Sequence, residues 1–353
     1  MALDFPTSPT NGQYYNGFVY NLANDTWDSA YAPRAATIPL AGTNVIINGA
    51  FDIWQRGEGL STATSASTGY VADRWQMFRD GYASGGATYR PSGPTGFRSA
   101  ARVQRNAGNT SLAGVVLAQS IESLNSIPYA GKNVVLSFYA RAGANYSSSG
   151  SSLTASVVSG TGTDQNVSNG LTGQASVLGG NVVLTTSWQR FTMAGAVSAS
   201  ANQLAVSLYY SPTGTAGASD YFEVTGVQLE EGVAATDFKR NAPSIQAELA
   251  ACQRYYYEDA AIVGTGFNAY FVARCNAAHP VEMRTSPTVT VSAASNFFQM
   301  GNTGLSSTGT ISNYSNARYL QADINTVTLS TNGFVCMHVL GSSYGRVTVS
   351  AEL

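Results

Sequence analysis

Charge is what this chain has least of. Only 11% of its 353 residues are Asp, Glu, Lys or Arg, against about 25% in an average soluble domain. Lysine occurs twice, at Lys132 and Lys239, and histidine twice, at His279 and His338. The formal net charge of −2 supplies no basic field to gather phosphates, which argues against nucleic acid as a partner. Three cysteines, Cys252, Cys275 and Cys336, are odd in number and far apart. They form neither a disulfide framework nor a zinc spacing, and read as free buried thiols. No run reaches the ~18 apolar residues of a membrane span, so no membrane insertion is expected. The opening Ala2-Leu3-Asp4-Phe5-Pro6 has neither the basic region nor the apolar stretch of a signal peptide. No internal period of a repeat architecture is present.

What remains is apolar and strand-forming. Hydrophobic residues make up 44% of the chain, with 20 tyrosines, 14 phenylalanines and 36 glycines. Surface polarity must come from Ser, Thr, Asn and Gln. Asn133–Arg141, Trp188–Met193, Gln203–Tyr210 and Tyr221–Val224 carry the apolar faces and alternation of half-buried strands. The Ser/Gly/Thr tracts over 146–160 and 170–180 read as connections between them. Near the start, Asn16-Gly17 between Tyr14-Tyr15 and Phe18-Val19-Tyr20 predicts a type I′ hairpin. Pro243-Ser244 followed by Ile245, Leu249, Cys252 and Tyr256 predicts one helix with a single apolar seam over 244–257. Phe334–Leu340 reads as a strand buried on both faces. The chain is therefore expected to be all-β. A hairpin unit and linker fill 1–40, an antiparallel jelly-roll sandwich 41–240, a connector helix 241–259, and a C-terminal β-sandwich domain 260–353.

Two runs stand out within this frame. Asn44-Val45-Ile46-Ile47-Asn48-Gly49-Ala50-Phe51-Asp52-Ile53-Trp54-Gln55-Arg56-Gly57 and Gly226-Val227-Gln228-Leu229-Glu230-Glu231-Gly232 each read as a strand bounded by glycine. Together they resemble the opening and closing strands of the carbohydrate-binding-module-like jelly roll of bacteriophage tail-fibre and receptor-binding proteins. Gly69-Tyr70-Val71-Ala72-Asp73-Arg74-Trp75 is similar to a Tyr-x-x-Asp-Arg-Trp run of that family. The resemblance covers roughly 44–257. Weaker likenesses to phage fibre elements lie in the N-terminal Phe5-Pro6-x-Ser8-Pro9 run and in Pro280–Val291. The resemblance implies a virion appendage, assembled in the host cytoplasm. It would form a homotrimer, attach through its N-terminus to tail or baseplate proteins, and touch a host-surface glycan. Ile245, Leu249, Cys252 and Tyr256 are then candidate oligomer contacts.

Chemistry is poorly provided for. No Ser-His-Asp arrangement can be assembled from His279 and His338, and His338 sits in a strand expected to be buried. Asp220, Glu223, Glu230 and Glu231 form the densest acidic group. A polysaccharide-degrading tailspike would need two such carboxylates flanking a glycosidic bond. Asp52 and Glu223 could supply oxygens to a structural calcium, but no Asp-rich loop accompanies them. No catalytic residue, metal or cofactor is assigned, and the chain is expected not to be an enzyme. Sugar binding instead needs aromatic faces with polar groups around them. Tyr82, Tyr89 and Arg90, in a glycine-rich stretch over 81–96 read as an exposed loop, are the candidates in the jelly roll. Tyr314, Arg318, Tyr319 and Tyr344 are those in the C-terminal domain. The alternative that keeps the virion but drops the receptor is a head or tail decoration protein.

Overall fold

The structure is a computed structural model. It describes residues 6–11, 13–15, 18–22, 25–29, 43–57, 59–61, 69–80, 85–259, 263–267, 272–291, 298–299, 311–313, 315–325, 333–336 and 347–353. The linker over 33–40 and His338 lie outside them. The chain forms two compact units, Met1–Leu40 and Ala41–Leu353.

The small unit is a three-stranded antiparallel sheet of β1 (Tyr14–Tyr15), β2 (Phe18–Asn21) and β3 (Thr26–Ser29). Tyr15 pairs with Phe18, so the two strands of the expected hairpin are paired, while the Asn16-Gly17 turn itself lies outside the described residues. The third strand was not anticipated. It brings Trp27 to 5.4 Å from the Tyr20 ring and 6.1 Å from that of Tyr15. The Tyr20 hydroxyl donates to Asp25 at 2.6 Å. Among the described residues of this unit, these rings pack around the buried Tyr20.

The large unit is built on two six-stranded antiparallel sheets. Its first strands are β4 (Gly59–Ser61), β5 (Gly69–Tyr70), β6 (Gln76–Arg79), β7 (Gly86–Tyr89), β8 (Ala101–Arg105) and β9 (Val115–Ile121). A short helical turn α1 (Ser123–Ser126) leads to β10 (Asn133–Ala142), β11 (Ser152–Gly160), β12 (Ala175–Val183), β13 (Gln189–Ala196), β14 (Gln203–Tyr210) and β15 (Tyr221–Glu231). One sheet has the order β13-β10-β15-β8-β7-β4, the other β12-β11-β14-β9-β6-β5. The expected all-β jelly-roll sandwich is present. Leu136, Phe138, Phe222 and Val224 from the first sheet and Leu117, Val206, Leu208 and Leu153 from the second are wholly buried. Tyr210 meets Phe222 edge-on at 6.0 Å.

Two expectations need correction here. The Ser/Gly/Thr tracts are partly strand, since β11 and β12 run through them. Leu153, Ala155 and Val157 alternate inward while Thr154 and Ser156 point out, so small polar residues mark one face of a strand and not a loop. The run Asn44–Gly57 is not a strand but a packed series of turns and irregular backbone. Its asparagines explain why. Asn48 sits at φ 57°, and its side chain accepts from the Ile53 amide at 3.1 Å while donating to Ile53 and Asp73 carbonyls. Local amide bonding of this kind competes with a strand ladder. Gly49 lets the run lie against β15, because a Cβ there would stand 2.1 Å from the Val227 carbonyl oxygen.

Beyond the sandwich, α2 (Ile245–Gln253) begins at Ser244, whose hydroxyl accepts from the Ala247 amide at 3.2 Å. It is shorter than expected, and Tyr256 falls in the following strand. That strand, β16 (Tyr256–Asp259), is followed by β17 (Val263–Phe267), β18 (Val272–Ala278), β19 (Thr288–Val291), β20 (Phe298–Gln299), β21 (Ile311–Asn313), β22 (Tyr319–Asn325), β23 (Gly333–Cys336) and β24 (Val347–Ser350). They make a three-stranded sheet, β16-β24-β19, and a six-stranded one, β20-β23-β17-β18-β22-β21.

A polar cluster joins these parts. Arg74, at φ 69°, pairs with Glu352, donates to the Ser120 carbonyl at 2.8 Å, and lies 3.6 Å from the Tyr255 ring. Arg56 reaches Glu352 at 3.0 Å and covers the Tyr256 ring at 3.4 Å. Asp73 accepts the Gln55 amide and side chain at 2.7 and 2.6 Å, and the same Gln55 nitrogen donates to the Tyr256 carbonyl. Trp75 Nε1 donates to the Asn48 carbonyl, and Glu248 of α2 accepts the Asn48 amide. Tyr70 donates to the Leu353 backbone oxygen at 3.0 Å. Burial pushes the Tyr70 phenol up to about 12 and holds the Asp73 and Glu248 carboxyls above their ordinary values. The residues that carry the family resemblance are thus a structural hub.

Arg74→Ala would uncover a buried carboxylate and should destabilise the large unit by about 3 kcal/mol or more. Lys132→Ala, which breaks the exposed pair with Glu231, should cost under about 1 kcal/mol. Urea unfolding of the two variants tests the contrast, and equal midpoints would contradict it.

Candidate functional site

The outer face of the β13-β10-β15-β8-β7-β4 sheet carries a row of large polar and aromatic side chains. Period-two alternation places it there: Phe222 and Val224 point into the core, so Tyr221 and Glu223 point out. The same holds for Arg102 between Ala101 and Val103, and for Arg141 between Ala140 and Ala142. Register then brings the outward residues side by side. Arg141 lies opposite Glu223, Glu223 opposite Arg102, and Arg102 opposite Tyr89. Trp188, just before β13, extends the row, with the Arg141 guanidinium 5.0 Å from its ring. From Trp188 to Tyr89 the row crosses four inter-strand steps, about 19 Å.

Glu223 is the anchor of this row. Its side chain is fully buried, while those of Arg102 and Arg141 are 29% and 32% exposed. Arg102 Nε donates to one carboxylate oxygen at 2.8 Å and Arg141 Nε to the other at 2.6 Å. Arg102 also lies 4.0 Å from the Tyr221 ring. Each guanidinium is thereby fixed by a charged hydrogen bond and an aromatic neighbour, with part of its surface left to solvent. Tyr89 is 45% exposed. The other half of the same face is covered: Phe97 packs on Tyr139 and Phe238 at 5.2 and 5.1 Å. Gly226, at φ 61°, permits this, since a Cβ there would stand 2.6 Å from the Phe97 ring. The open half offers rings and guanidinium donors in one line, a surface suited to sugar hydroxyls and apolar sugar faces.

The other expected site residues are distributed differently. Tyr89 is on a strand, not a loop. Arg90 is taken up by Ser99 Oγ at 3.1 Å and the Asp52 carbonyl at 3.0 Å. Tyr82, Tyr314 and Tyr344 lie outside the described residues. Arg318 and Tyr319 are exposed at the start of β22, with Arg318 3.6 Å from Glu282, on a different sheet from Tyr89. The α2 seam faces its own chain. Cys252 is wholly buried with Ile47, Ile53 and Tyr255, and Leu249 packs against the same cluster. Burial pushes the Cys252 thiol well up. Tyr256 is buried under Arg56. Cys252 and Tyr256 are therefore not available as contacts between copies, because the turns over 44–57 already supply the apolar partner the seam needs. Ile245 alone of the four is exposed, at 44%.

The carboxylates considered for hydrolysis or calcium are each engaged. Asp220 is buried with Arg105 at 3.0 Å and accepts from Ser147. Glu230 accepts from Gln228 and Thr236, and Glu231 pairs with Lys132 at 3.2 Å. Asp52 holds Arg240 at 2.8 Å. Among the described residues no group of three or more His, Cys, Asp and Glu could hold a metal ion. Trp188, Arg102, Arg141 and Tyr221 were not singled out from sequence. Their one signal is a bulky polar or aromatic residue at every second position of otherwise apolar strands.

No protein-family model matches the chain. No curated protein matches it. Among solved structures it is similar to a carbohydrate-binding module, CBM4, at 17% identity and a TM-score of 0.32, over 52% of this chain and 98% of that one. It is also similar to the enzymatically active domain of bacteriophage CBA120 tailspike protein 4, at 13% identity and a TM-score of 0.33, over 54% of this chain and 22% of that one. A third likeness is to TmCBM61 in complex with β-1,4-galactotriose, at 12% identity and a TM-score of 0.31, over 54% and 99%. At such values the likenesses bear neither on activity nor on ligand.

The two arginines should act on Glu223 as a unit. Arg102→Ala or Arg141→Ala alone leaves the carboxylate one partner and should cost about 1–2 kcal/mol. The double variant leaves a buried charge unpaired and should cost about 3–5 kcal/mol, more than the sum of the two. Urea denaturation of the three variants measures this, and additive small losses would show Glu223 to be solvated.

Proposed function

We propose that the chain is a non-catalytic glycan-binding appendage of a tailed bacteriophage, a tail fibre or other receptor-binding protein of the virion. The observation that carries this is the open row Trp188-Arg141-Glu223-Arg102-Tyr89, held rigid by register and by the buried carboxylate. Rings that lose little freedom on binding and guanidinium groups already fixed in place lower the entropic cost of capturing a flexible saccharide. The tail-fibre-like runs and the aromatic N-terminal unit favour the virion setting, with the small unit engaging tail or baseplate proteins. Binding without hydrolysis is favoured by the engagement of Asp220, Glu223, Glu230 and Glu231 with cations, amides and hydroxyls of their own chain. Three copies in one appendage would raise weak single-site affinity by avidity.

The role is tested by adsorption of the labelled protein to host cells and by its affinity for host surface polysaccharide. Tyr89→Ala and Trp188→Ala should each weaken binding about tenfold, equivalent to about 1.4 kcal/mol. Leu124→Ala, at an exposed position on α1, should bind like the parent. A parent protein that neither adsorbs nor binds would instead leave a decoration protein as the better description. Light scattering should give a mass three times the 36.9 kDa of one chain, and a monomer would remove the avidity component.

A further inference from the structure

Cations in this chain are few, and among the described residues nearly all are spent. Of the arginines and lysines whose side chains are described, each has a carboxylate, carbonyl or hydroxyl partner except Arg98 and Lys239. Arg79, for example, donates to the Asn109 side chain and to two carbonyls, and Arg254 and Arg284 pair with Glu122 and Asp164. Arg98 and Lys239 are both exposed, and they line two cavities that share Arg240. One, of about 630 Å³, is lined by Asp52, Ile53, Arg98, Arg240, Ile245 and Leu249 among others. The second, of about 430 Å³, is lined by Asn44, Phe238, Lys239, Arg240 and their neighbours. Both volumes fall in the range of small-ligand sites, about 300–1,000 Å³.

The charge of this trough is one-sided. Asp52 is 5% exposed and bound to Arg240 through one oxygen at 2.8 and 3.1 Å, so that pair largely cancels. Glu248, buried beside it, is occupied by the Asn48 and Ala242 amides. Arg98 remains uncompensated in the larger cavity, next to Ile53, Ile245 and Leu249, and Lys239 in the adjoining smaller one, next to Phe238. Adjoining cavities that each hold a free cation, the larger with an apolar wall, select an anion carried on a partly apolar body. We propose that this trough is a second binding site, distinct from the sheet face, for an acidic sugar unit. The anionic substituent is drawn to Arg98, the apolar face of the ring rests on Ile245 and Leu249, and Lys239 in the adjoining cavity adds to the positive field. That the anion belongs to a saccharide rests on the glycan-binding role proposed above. The place and sign of the site rest on the trough itself.

The test is calorimetric titration of the full chain with a hexuronic-acid oligosaccharide and with a neutral oligosaccharide of equal length. The acidic ligand should bind at least tenfold more tightly, with a preference that shrinks as salt is raised. Arg98→Ala with Lys239→Ala should abolish the preference and leave neutral binding unchanged. Neither side-chain cation has a partner in the fold, and the backbone bonds of Arg98 and Lys239 survive substitution by alanine, so the double variant should unfold at the parent's urea midpoint. Tyr89→Ala, on the separate sheet face, should weaken the neutral ligand and leave the tighter binding of the acidic one in place. Equal affinity for the two ligands in the parent, or a preference that survives the double variant, overturns the trough site alone. Binding of neither ligand overturns the trough site and the glycan-binding role together.

Discussion

The large unit depends on one buried charge cluster, Arg74 and Arg56 on Glu352, built onto the Asn48 hub. A charge placed out of water is tolerated only when it is paired and its remaining hydrogen-bond capacity is met. Here the pairing draws on segments far apart in sequence: the turns over 44–57, the Tyr70–Trp75 run, α2 with β16, and residues 351–353. Losing any one of them strands the others. The positive φ of Asn48, Phe51 and Arg74 fits the same logic, because such backbone persists only where its surroundings over-determine it.

This arrangement also explains which surfaces are left for recognition. The turns over 44–57 bury Ile47 and Ile53 against Cys252 and Tyr255, so this part of the helix seam is not free to meet a partner. Phe97 and Phe238 close one half of the outer sheet face over Tyr139. The other half stays open, and the residues displayed there are held from beneath by Glu223. A second buried pair, Arg105 with Asp220, fixes the loops at one end of the sandwich by further bonds to the Asn109 and Gly214 carbonyls. In a chain so poor in charge, buried ion pairs locate the loops and strands, and few charged groups remain for the surface.

Much of the fold was legible in the sequence, and the reasons differ by element. Gln203–Tyr210 and Asn133–Ala142 occur as strands, because their apolar and aromatic residues are buried on both faces in the first half and on alternate positions in the second. Ser244 and the apolar spacing after it marked α2, though not its end. Asn44–Gly57 misled, since its β-branched residues suggest a strand while its asparagines satisfy the backbone locally. The Ser/Gly/Thr tracts misled in the opposite direction, because Leu153, Ala155 and Val157 are small enough to hide an inward face among polar residues. At the candidate site, Tyr89 was visible as an aromatic outside the core pattern. The row it belongs to was not, because Trp188, Arg141, Glu223 and Arg102 meet only through strand pairings between distant segments, 82 residues apart for Arg141 and Glu223 and 121 for Arg102 and Glu223. Register of that kind leaves no local trace.

Hydrogen–deuterium exchange of the intact protein, with and without host surface polysaccharide, tests most directly whether the open sheet face is the recognition surface. Protection on binding should concentrate in peptides covering 86–105, 139–142, 186–190 and 221–225. The turns over 44–57 and 70–75, already locked in the unbound chain, should exchange at unchanged rates. Protection confined to those turns, with none on the sheet face, would contradict the account.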